Sequence, residues 1–277
     1  MAIQMQPTAS WLFTPATRPD RFAKAAAAGA DVLVIDLEDA VAAADKGRAR
    51  LAAFDYLAEN SDPGIIRALR INALDTQHGV SDMALLLSGT NAPDFLVLPK
   101  AESAAHIQIV EKLLAEAKVS SRLVALIESA RGLAAVEQIA AASPRLYGLL
   151  FGAADMAADL GTAMQWEPLA HARGKLIAAC AMAGIAAIDS PWFDIQDVAG
   201  LQAETARAVA FGFVAKAAIH PSQIKVINTA LTPSEEELGR ALAILAESKK
   251  GVGVLDGLMV DEAMARKAKR VIAARRF

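Results

Sequence analysis

The chain has 277 residues, of which 55% are hydrophobic and 21% charged, and its formal net charge of -3 argues against nucleic acid or an anionic membrane as the main partner. It contains no apolar run long enough to cross a bilayer, and its first residues lack the basic start and apolar stretch of a signal peptide. Together with the single cysteine, Cys180, which cannot form an internal disulfide, this predicts a soluble protein of the cytoplasm.

Short apolar runs alternate with helical patterns along most of the chain. The runs predict eight strands, at Ser10–Pro15, Val32–Asp39, Ile65–Asn72, Phe95–Lys100, Leu123–Ser129, Tyr147–Gly152, Ala186–Pro191 and Val214–Pro221. The clearest helical patterns between them are Arg18–Ala28, Ala104–Ala117, Leu169–Ala183 and Val198–Phe211. Apolar strands alternating with helices indicate a parallel sheet, and eight repeats predict a closed (β/α)8 TIM barrel. An open doubly wound sheet is the alternative, but it usually carries a glycine-rich loop after its first strand, where this chain has "TPATRP".

A different pattern follows the eighth repeat, so we predict a barrel domain over residues 1–231 and a C-terminal extension over residues 232–277. A cap-like Thr232 or Ser234 before a run of acids starts a helix. "GVGVLDGLMV" predicts a short hairpin that turns at Asp256-Gly257, and a basic helix follows it. The extension is too small for a core of its own, so we expect it to pack on the barrel or on a neighbouring subunit.

Polar and charged side chains collect at the C-terminal ends of the predicted strands, where the active site of a TIM barrel lies. They are Asp36, Glu38, Asp39, Arg70, Asn72, Lys100, Glu102, Glu128, Asp155, Asp189 and His220. Charged groups are costly to desolvate unless they are paired or hold a cation. Their convergence predicts a functional site at this rim.

Glu128 and Asp155 follow the fifth and sixth strands, which are neighbours, so their carboxylates can face one cation. Oxygen ligands without a histidine or cysteine cluster favour magnesium or manganese over zinc. Two protein ligands leave coordination positions for water and substrate oxygens. The structural alternatives are a salt bridge from Glu128 to Arg131 and a capping role for Asp155 at a helix that begins near Met156.

Arg70 ends the third strand in the sequence "RIN". Its planar guanidinium can hold a carboxylate or carbonyl oxygen at two points, or it can pair with Asp36 or Glu38 across the rim. These roles are compatible, with Asp36 and Glu38 then supporting the residues that contact substrate.

The segment "FGAAD" places three small residues, Gly152, Ala153 and Ala154, at the start of a helix. Small side chains leave backbone N–H groups uncovered there. Such groups can bind a substrate carboxylate, because the first N–H groups of a helix have no partner within it.

Seven segments of the chain resemble the citrate lyase beta-subunit-like family of the aldolase/citrate lyase superfamily, whose relatives include malyl-CoA and citramalyl-CoA lyases. They are "SWLFTPATRPDRFAKAAAAGADVLVIDLEDAV", "RIN", "LVLPKAES", "LIESARGL", "FGAADMAADLG", "IDSPW" and "GFVAKAAIHPSQI". They span nearly the whole chain in the family's order. The resemblance implies a barrel, a homotrimer or hexamer, magnesium on Glu128 and Asp155, and contact between Arg70 and the oxygens of an oxo acid.

The segment "LDGLMVDEAMARKA" resembles the tail of the CoA-dependent members of that family. The resemblance implies that Asp261 enters the active site of a neighbouring subunit. It also favours free acyl-CoA over a carrier-protein thioester. From the residues alone, Asp261 is equally suited to capping the last helix.

The resemblance further implies that Arg18 and Lys24 hold the nucleotide end of CoA. Ala16, Ser190 and Ala215 stand where the family often has glycine. These departures concern the shape of the acyl-CoA groove rather than the metal site.

The function implied by the resemblance is magnesium-dependent cleavage of a β-hydroxyacyl-CoA thioester into an acyl-CoA and a 2-oxo acid such as glyoxylate or pyruvate, or the reverse condensation. Condensation followed by thioester hydrolysis would use the same residues. One alternative is a metal-dependent aldolase of a CoA-free 2-oxo acid. Such aldolases generally use a histidine near the early strand ends as base, and none of His78, His106, His171 and His220 follows the first or second strand. Another is a non-catalytic protein that binds acyl-CoA or oxo acids.

Overall fold

The fold is a closed barrel of eight parallel strands, seen in a computed structural model that describes residues 8–59, 65–89, 91–249, 253–255 and 258–275. The strands pair in chain order, and the last pairs with the first. Strands β1 to β8 are Ser10–Pro15, Val32–Asp36, Ile66–Arg70, Phe95–Leu98, Arg122–Ile127, Leu146–Phe151, Ala186–Asp189 and Ala215–Ala218. The predicted (β/α)8 TIM barrel is confirmed.

Helices follow the strands and pack outside them. Helices α1 to α10 are Phe22–Ala26, Lys46–Glu59, Gln77–Ser88, Ala104–Glu116, Ala130–Ala134, Val136–Ala140, Ala153–Leu160, Trp166–Ala183, Val198–Phe211 and Ile224–Leu231. The helix predicted at Val198–Phe211 has these bounds, whereas the one predicted at Arg18–Ala28 is a 3-10 turn over Pro19–Arg21 followed by the short α1. Among the described helices, none combines the length and apolarity that crossing a membrane requires.

Alternate residues of each strand face opposite sides of the barrel wall, because strand side chains alternate with a period of two. In β2, Val32 and Val34 belong to the cluster inside the barrel, whereas Leu33 and Ile35 pack in the layer beneath the helices. This alternation continues to the strand ends and decides which rim residues point into the mouth of the barrel.

Three aromatic rings fill the N-terminal end of the barrel interior. The ring centroid of Trp11 lies 5.0 Å from that of Phe95 and 6.0 Å from that of Tyr147. The rings of Phe95 and Tyr147 are 4.8 Å apart. These rings pack the N-terminal end of the interior, whereas the polar side chains predicted for the site lie at the opposite, C-terminal end.

Cys180 is a buried residue of α8, and its thiol donates to the carbonyl of Ala186 at 3.4 Å. Burial raises the pKa of this thiol to about 12, so it stays protonated at neutral pH. The cysteine is therefore part of the packing and not a reactive thiolate.

The C-terminal extension is a helical hairpin with a small antiparallel sheet. Its elements are α11, Glu235–Ser248; β9, Gly253–Leu255; β10, Leu258–Val260; and α12, Glu262–Ala273. Ser234 is the helix cap, since its hydroxyl accepts from the N–H of Glu237 and the Glu237 carboxylate accepts in return from Ser234. Helix α11 packs against α12 and β9. The predicted turn at Asp256-Gly257 lies outside the described residues, and the division into domains at residue 231, where α10 ends, stays a prediction.

Candidate active site

The period of two places four of the predicted site residues on the inner face at the C-terminal rim. Asp36 lies two residues after Val34 in β2, and Arg70 lies two residues after Ala68 in β3, so each faces the same side of the wall as its neighbour. Val34 and Ala68 belong to the cluster inside the barrel. Glu128 and Gly152 follow the interior residues of β5 and β6 in the same way. The barrel wall therefore brings together residues that are far apart in sequence.

Arg70 is held by a two-point ion pair with Asp36. Its Nε donates to Oδ1 at 2.7 Å and its Nη2 donates to Oδ2 at 2.6 Å. Its third nitrogen, Nη1, lies 2.9 Å from Oε2 of Glu38 and 3.3 Å from Oδ2 of Asp39. Although burial opposes the charge, these carboxylates, Asp36 first, raise the pKa of Arg70, which stays cationic. The predicted pairing with Asp36 and Glu38 is confirmed, with Asp36 holding Nε and Nη2 and Glu38 lying beside Nη1.

Glu38, Glu128 and Asp155 surround the ammonium group of Lys100. The Nζ atom lies 3.0 Å from Oε1 of Glu38, 3.2 Å from Oδ2 of Asp155 and 4.0 Å from Oε1 of Glu128. The backbone N–H of Lys100 also donates to Oε1 of Glu128 at 2.8 Å. One cation thus contacts carboxylates from the segments that follow β2, β5 and β6, with Asp155 in the first turn of α7.

Both structural alternatives considered for the acidic pair are wrong. Arg131 contacts Glu102 at 3.6 Å, and Glu128 takes its hydrogen bond from the β4 side of the rim instead. Helix α7 begins at Ala153, so Asp155 lies within its first turn and is not its cap. The two carboxylates are therefore left to face the mouth of the barrel.

Glu38, Glu128 and Asp155 form an acid cluster, and in this cluster the ionisation of the buried carboxyls of Glu38 and Glu128 is unfavourable. Burial, and next the charge of Glu38, raise the pKa of Glu128 to about 8, against the opposing effect of the Lys100 N–H and ammonium. Burial also raises the pKa of Glu38, although the charges of Arg70 and Lys100 oppose the shift. Added positive charge at this position would relieve the repulsion, which is the condition that a divalent cation meets.

Gly152 allows the sixth strand to pass close to Glu128. A Cβ at residue 152 would lie 2.5 Å from Cβ of Glu128 and 2.9 Å from its Oε2, closer than real Cβ atoms approach. The Gly152 N–H donates to the carbonyl of Ile127 at 3.0 Å, so it is not one of the open donors that the sequence suggested. The backbone N–H groups of Ala153 and Ala154, in the first turn of α7, have no acceptor within the helix.

The residues present fit a magnesium ion better than zinc or a fully protein-coordinated metal. Glu128 and Asp155 offer only carboxylate oxygens, and the missing side chain at Gly152 leaves room beside Glu128. Over the described ranges, no group of three or more His, Cys, Asp or Glu residues is arranged to hold a metal ion. A two-carboxylate site that completes its coordination with water and substrate agrees with this finding.

The predicted CoA-binding cations lie apart from the acid cluster, at the first loop and helix. Arg18 is exposed and donates to both carboxylate oxygens of Asp20, at 2.9 and 2.8 Å. Lys24 is exposed on α1. Asp261 is the cap of α12, where its Oδ1 accepts from the N–H of Met264 at 2.9 Å. No contact described within this chain brings Asp261 to Glu128 or Asp155.

The structure adds two features that sequence reasoning left without a role. From the sequence, Lys100 is only one of the strand-end charges, two residues after the last residue of β4. Asp189 faces the outer side of the barrel wall, where its carboxylate pairs with Arg173 at 3.2 Å and with Lys216 at 2.6 Å. This strand-end acid therefore belongs to the layer between the strands and the helices. His220 hydrogen-bonds within its own turn, as expected of a residue of the scaffold.

The chain as a whole is similar to several known proteins. A family model described as HpcH/HpaI aldolase/citrate lyase matches residues 9–221. An L-malyl-CoA/beta-methylmalyl-CoA lyase of Rhodobacter capsulatus is 36% identical over 94% of this chain and 92% of its own length. The crystal structure of RipC from Yersinia pestis is 57% identical, with a TM-score of 0.75 over 83% of this chain and 98% of its own. A CitE protein from Mycobacterium tuberculosis in complex with magnesium, acetoacetate and coenzyme A is 37% identical, with a TM-score of 0.82 over 98% of this chain and 99% of its own.

Proposed function

The chain belongs to the HpcH/HpaI aldolase/citrate lyase family and is a magnesium-dependent carbon–carbon lyase, and we propose that it cleaves a β-hydroxyacyl-CoA thioester of the malyl-CoA or citramalyl-CoA type. The products would be an acyl-CoA and a 2-oxo acid such as glyoxylate or pyruvate, and the reverse condensation uses the same site. The observation that carries this proposal is that Glu128 and Asp155 meet around one cation, the Lys100 ammonium, and that Glu38 contacts both this cation and the fixed guanidinium of Arg70.

Glu128 and Asp155 would hold the metal. Bound magnesium supplies Lewis acidity that draws electron density from the hydroxyl or oxo oxygen of the substrate. The all-oxygen donor set suits magnesium and also manganese. The high pKa of Glu128 means that its proton must leave before it can act as a ligand.

Arg70 would stabilise negative charge on the oxo-acid oxygen through its Nη1. Because Asp36 already fixes Nε and Nη2, the guanidinium is oriented before substrate arrives, which is how preorganised donors lower a barrier. The first N–H groups of α7, at Ala153 and Ala154, would bind the oxo-acid carboxylate. In the cleavage direction, loss of the hydroxyl proton and of the carbon–carbon bond leaves an acyl-CoA enolate, which then takes a proton at its α-carbon.

Asp261 from a neighbouring subunit would deliver that proton. The likeness to the CoA-bound CitE structure, which extends over 98% of this chain, supports a role for the C-terminal extension with a CoA thioester. Arg18 and Lys24 would hold the CoA phosphates, with Arg18 exchanging its Asp20 partner for phosphate. This arrangement requires a homo-oligomer, which we propose to be a trimer or hexamer. We further propose a cytoplasmic location, which suits an unpaired cysteine and a CoA substrate.

A panel of hydroxyacyl-CoA thioesters tests the reaction by the magnesium-dependent release of glyoxylate or pyruvate. We expect activity with at least one thioester and its loss in Glu128→Gln and Asp155→Asn, with CoA binding retained. Cleavage of CoA-free 2-oxo acids alone would identify an aldolase instead. Binding of CoA without turnover of any member would identify a binding protein.

Subunit mixing tests the role of Asp261. Glu128→Gln and Asp261→Asn subunits are each expected to be inactive alone. When they are unfolded and reassembled together, some sites receive intact residues from both chains, and activity should return. Failure of the mixture to regain activity, or an active monomer in gel filtration, would show that Asp261 does not act between subunits.

A further inference from the structure

Lys100 is placed at the centre of the proposed metal site and not at its edge. Its Nζ contacts Glu38 and Asp155 at 3.0 and 3.2 Å, and Glu128 lies 4.0 Å away. These three carboxylates come from three different segments, two loops and the first turn of α7, and do not share a hydrogen bond with one another in the described contacts. A single ammonium group therefore holds together side chains that would otherwise repel each other.

The backbone of Lys100 is in an unusual conformation for a lysine. Its φ is +48°, in the left-handed region that costs a residue with a Cβ roughly 1 kcal/mol or more. Lys118, the other described non-glycine residue with positive φ, directly follows the C-terminal end of α4, where this conformation is common. At Lys100 the conformation instead turns the chain at a strand end, so that the N–H reaches Glu128 while the side chain reaches the other two acids.

The charges around Lys100 are suited to exchange with a divalent ion. Five carboxylates, those of Asp36, Glu38, Asp39, Glu128 and Asp155, lie within ion-pair distance of only two cations, Arg70 and Lys100, in this network. Arg70 is buried and fixed by Asp36, whereas the Lys100 side chain is 45% exposed and has a flexible stem that can swing into solvent. Two cations cannot share the space between Glu128 and Asp155 without strong repulsion.

We propose that Lys100 is a positioning residue that competes with magnesium for the carboxylates of Glu128 and Asp155 and so makes metal binding depend on the oxo acid. Magnesium must displace the ammonium group, which weakens its binding to the protein alone. The anionic oxo acid adds negative charge to the site and supplies metal ligands of its own. Magnesium is therefore held firmly only when the protein and the oxo acid bind it together. This inference rests on the magnesium site of the proposed function.

The test compares magnesium affinity by calorimetry in the wild-type protein, Lys100→Gln, Lys100→Arg and Lys112→Gln, each with and without pyruvate or glyoxylate. Lys112 is an exposed residue of α4 and controls for loss of a distant positive charge. Removing the competing charge should tighten magnesium binding in Lys100→Gln about tenfold and reduce the further gain that the oxo acid gives. Lys100→Arg and Lys112→Gln should resemble the wild type.

A second measurement separates this role from a merely structural one. Without metal, Lys100→Gln should melt at a lower temperature than the wild type, because the three carboxylates then repel each other, and magnesium should restore more of its stability. Unchanged or weaker magnesium binding in Lys100→Gln would overturn the inference, while loss of binding in Glu128→Gln would still uphold the proposed metal site. If the wild type binds no magnesium even when the oxo acid is present, or Glu128→Gln binds it as well as the wild type, the metal site itself fails and the role of Lys100 fails with it.

Discussion

Gly152→Ala changes one hydrogen to a methyl group where the chain, just after the sixth strand, passes beside Glu128, the proposed metal ligand. The new Cβ would lie 2.5 Å from Cβ of Glu128, 2.9 Å from its Oε2 and 3.2 Å from Cδ1 of Leu126. Relief of these contacts to an ordinary separation of about 3.5 to 4 Å requires a shift of Glu128 by about 1 Å. A displacement of that size at a reacting centre lowers kcat by about 100-fold, and overpacking of this kind destabilises a fold by about 1 to 3 kcal/mol.

The assay for Gly152→Ala is a magnesium titration of lyase activity together with calorimetric metal binding and chemical denaturation. We expect a higher magnesium requirement, a lower kcat and a modest loss of stability. Gly174→Ala is the matched control, because its Cβ would meet only the ring of Phe211 at 3.8 Å and alanine favours the interior of α8. Wild-type magnesium affinity and kcat in Gly152→Ala would refute the argument that the missing side chain admits Glu128.

Three further predictions concern charge. Asp36→Asn removes the two-point partner of buried Arg70, so we expect denaturation to show a loss of about 3 to 5 kcal/mol and turnover to fall; unchanged stability would contradict the pairing. The pKa of Glu128 is raised from 4.5 to about 8, so the folded state binds the proton of this carboxyl more tightly than the unfolded state does. The metal-free protein should therefore lose stability as the pH rises from 4.5 to about 8, and Glu128→Gln should not show this trend. Since metal binding needs the ionised carboxylate, calorimetry should also show magnesium affinity rising about tenfold from pH 7 to pH 9. Asp189→Asn leaves buried Lys216 without its nearest carboxylate and should cost about 3 to 5 kcal/mol, but magnesium affinity of the folded fraction should not change.

Several features of the site followed directly from local patterns. Glu128 follows β5 and continues the alternation of Val124 and Leu126, which face the barrel interior. A barrel built with this strand therefore points the Glu128 carboxylate into the barrel mouth. The same reasoning applies to Arg70, the last residue of β3. The interpretation of "FGAAD" as a helix start was also right, although α7 begins at Ala153 and the Gly152 N–H belongs to the sheet.

Other features depend on distances across the barrel that no local pattern encodes. Lys100 and Glu38 are 62 residues apart and contact at 3.0 Å, and the sequence offered no reason to prefer this pair over any other two charges of the rim. Asp189 looked like its neighbours at the strand ends, but the outward face of β7 gives it Arg173 and Lys216 as partners. A carboxylate and a cation can pair wherever the fold brings them together, so their identity alone does not determine the pairing.

The sequence by itself determined the barrel and the set of polar residues at its mouth, because strand alternation and strand–helix repetition are local properties of the chain. The tertiary structure decided how those residues share their charges: which carboxylates fix Arg70, which surround Lys100, and how far Glu128 is removed from water. The physical reason is that ion pairing and desolvation depend on distances of a few ångströms between residues from different strands. Those distances are set by the closure of the barrel.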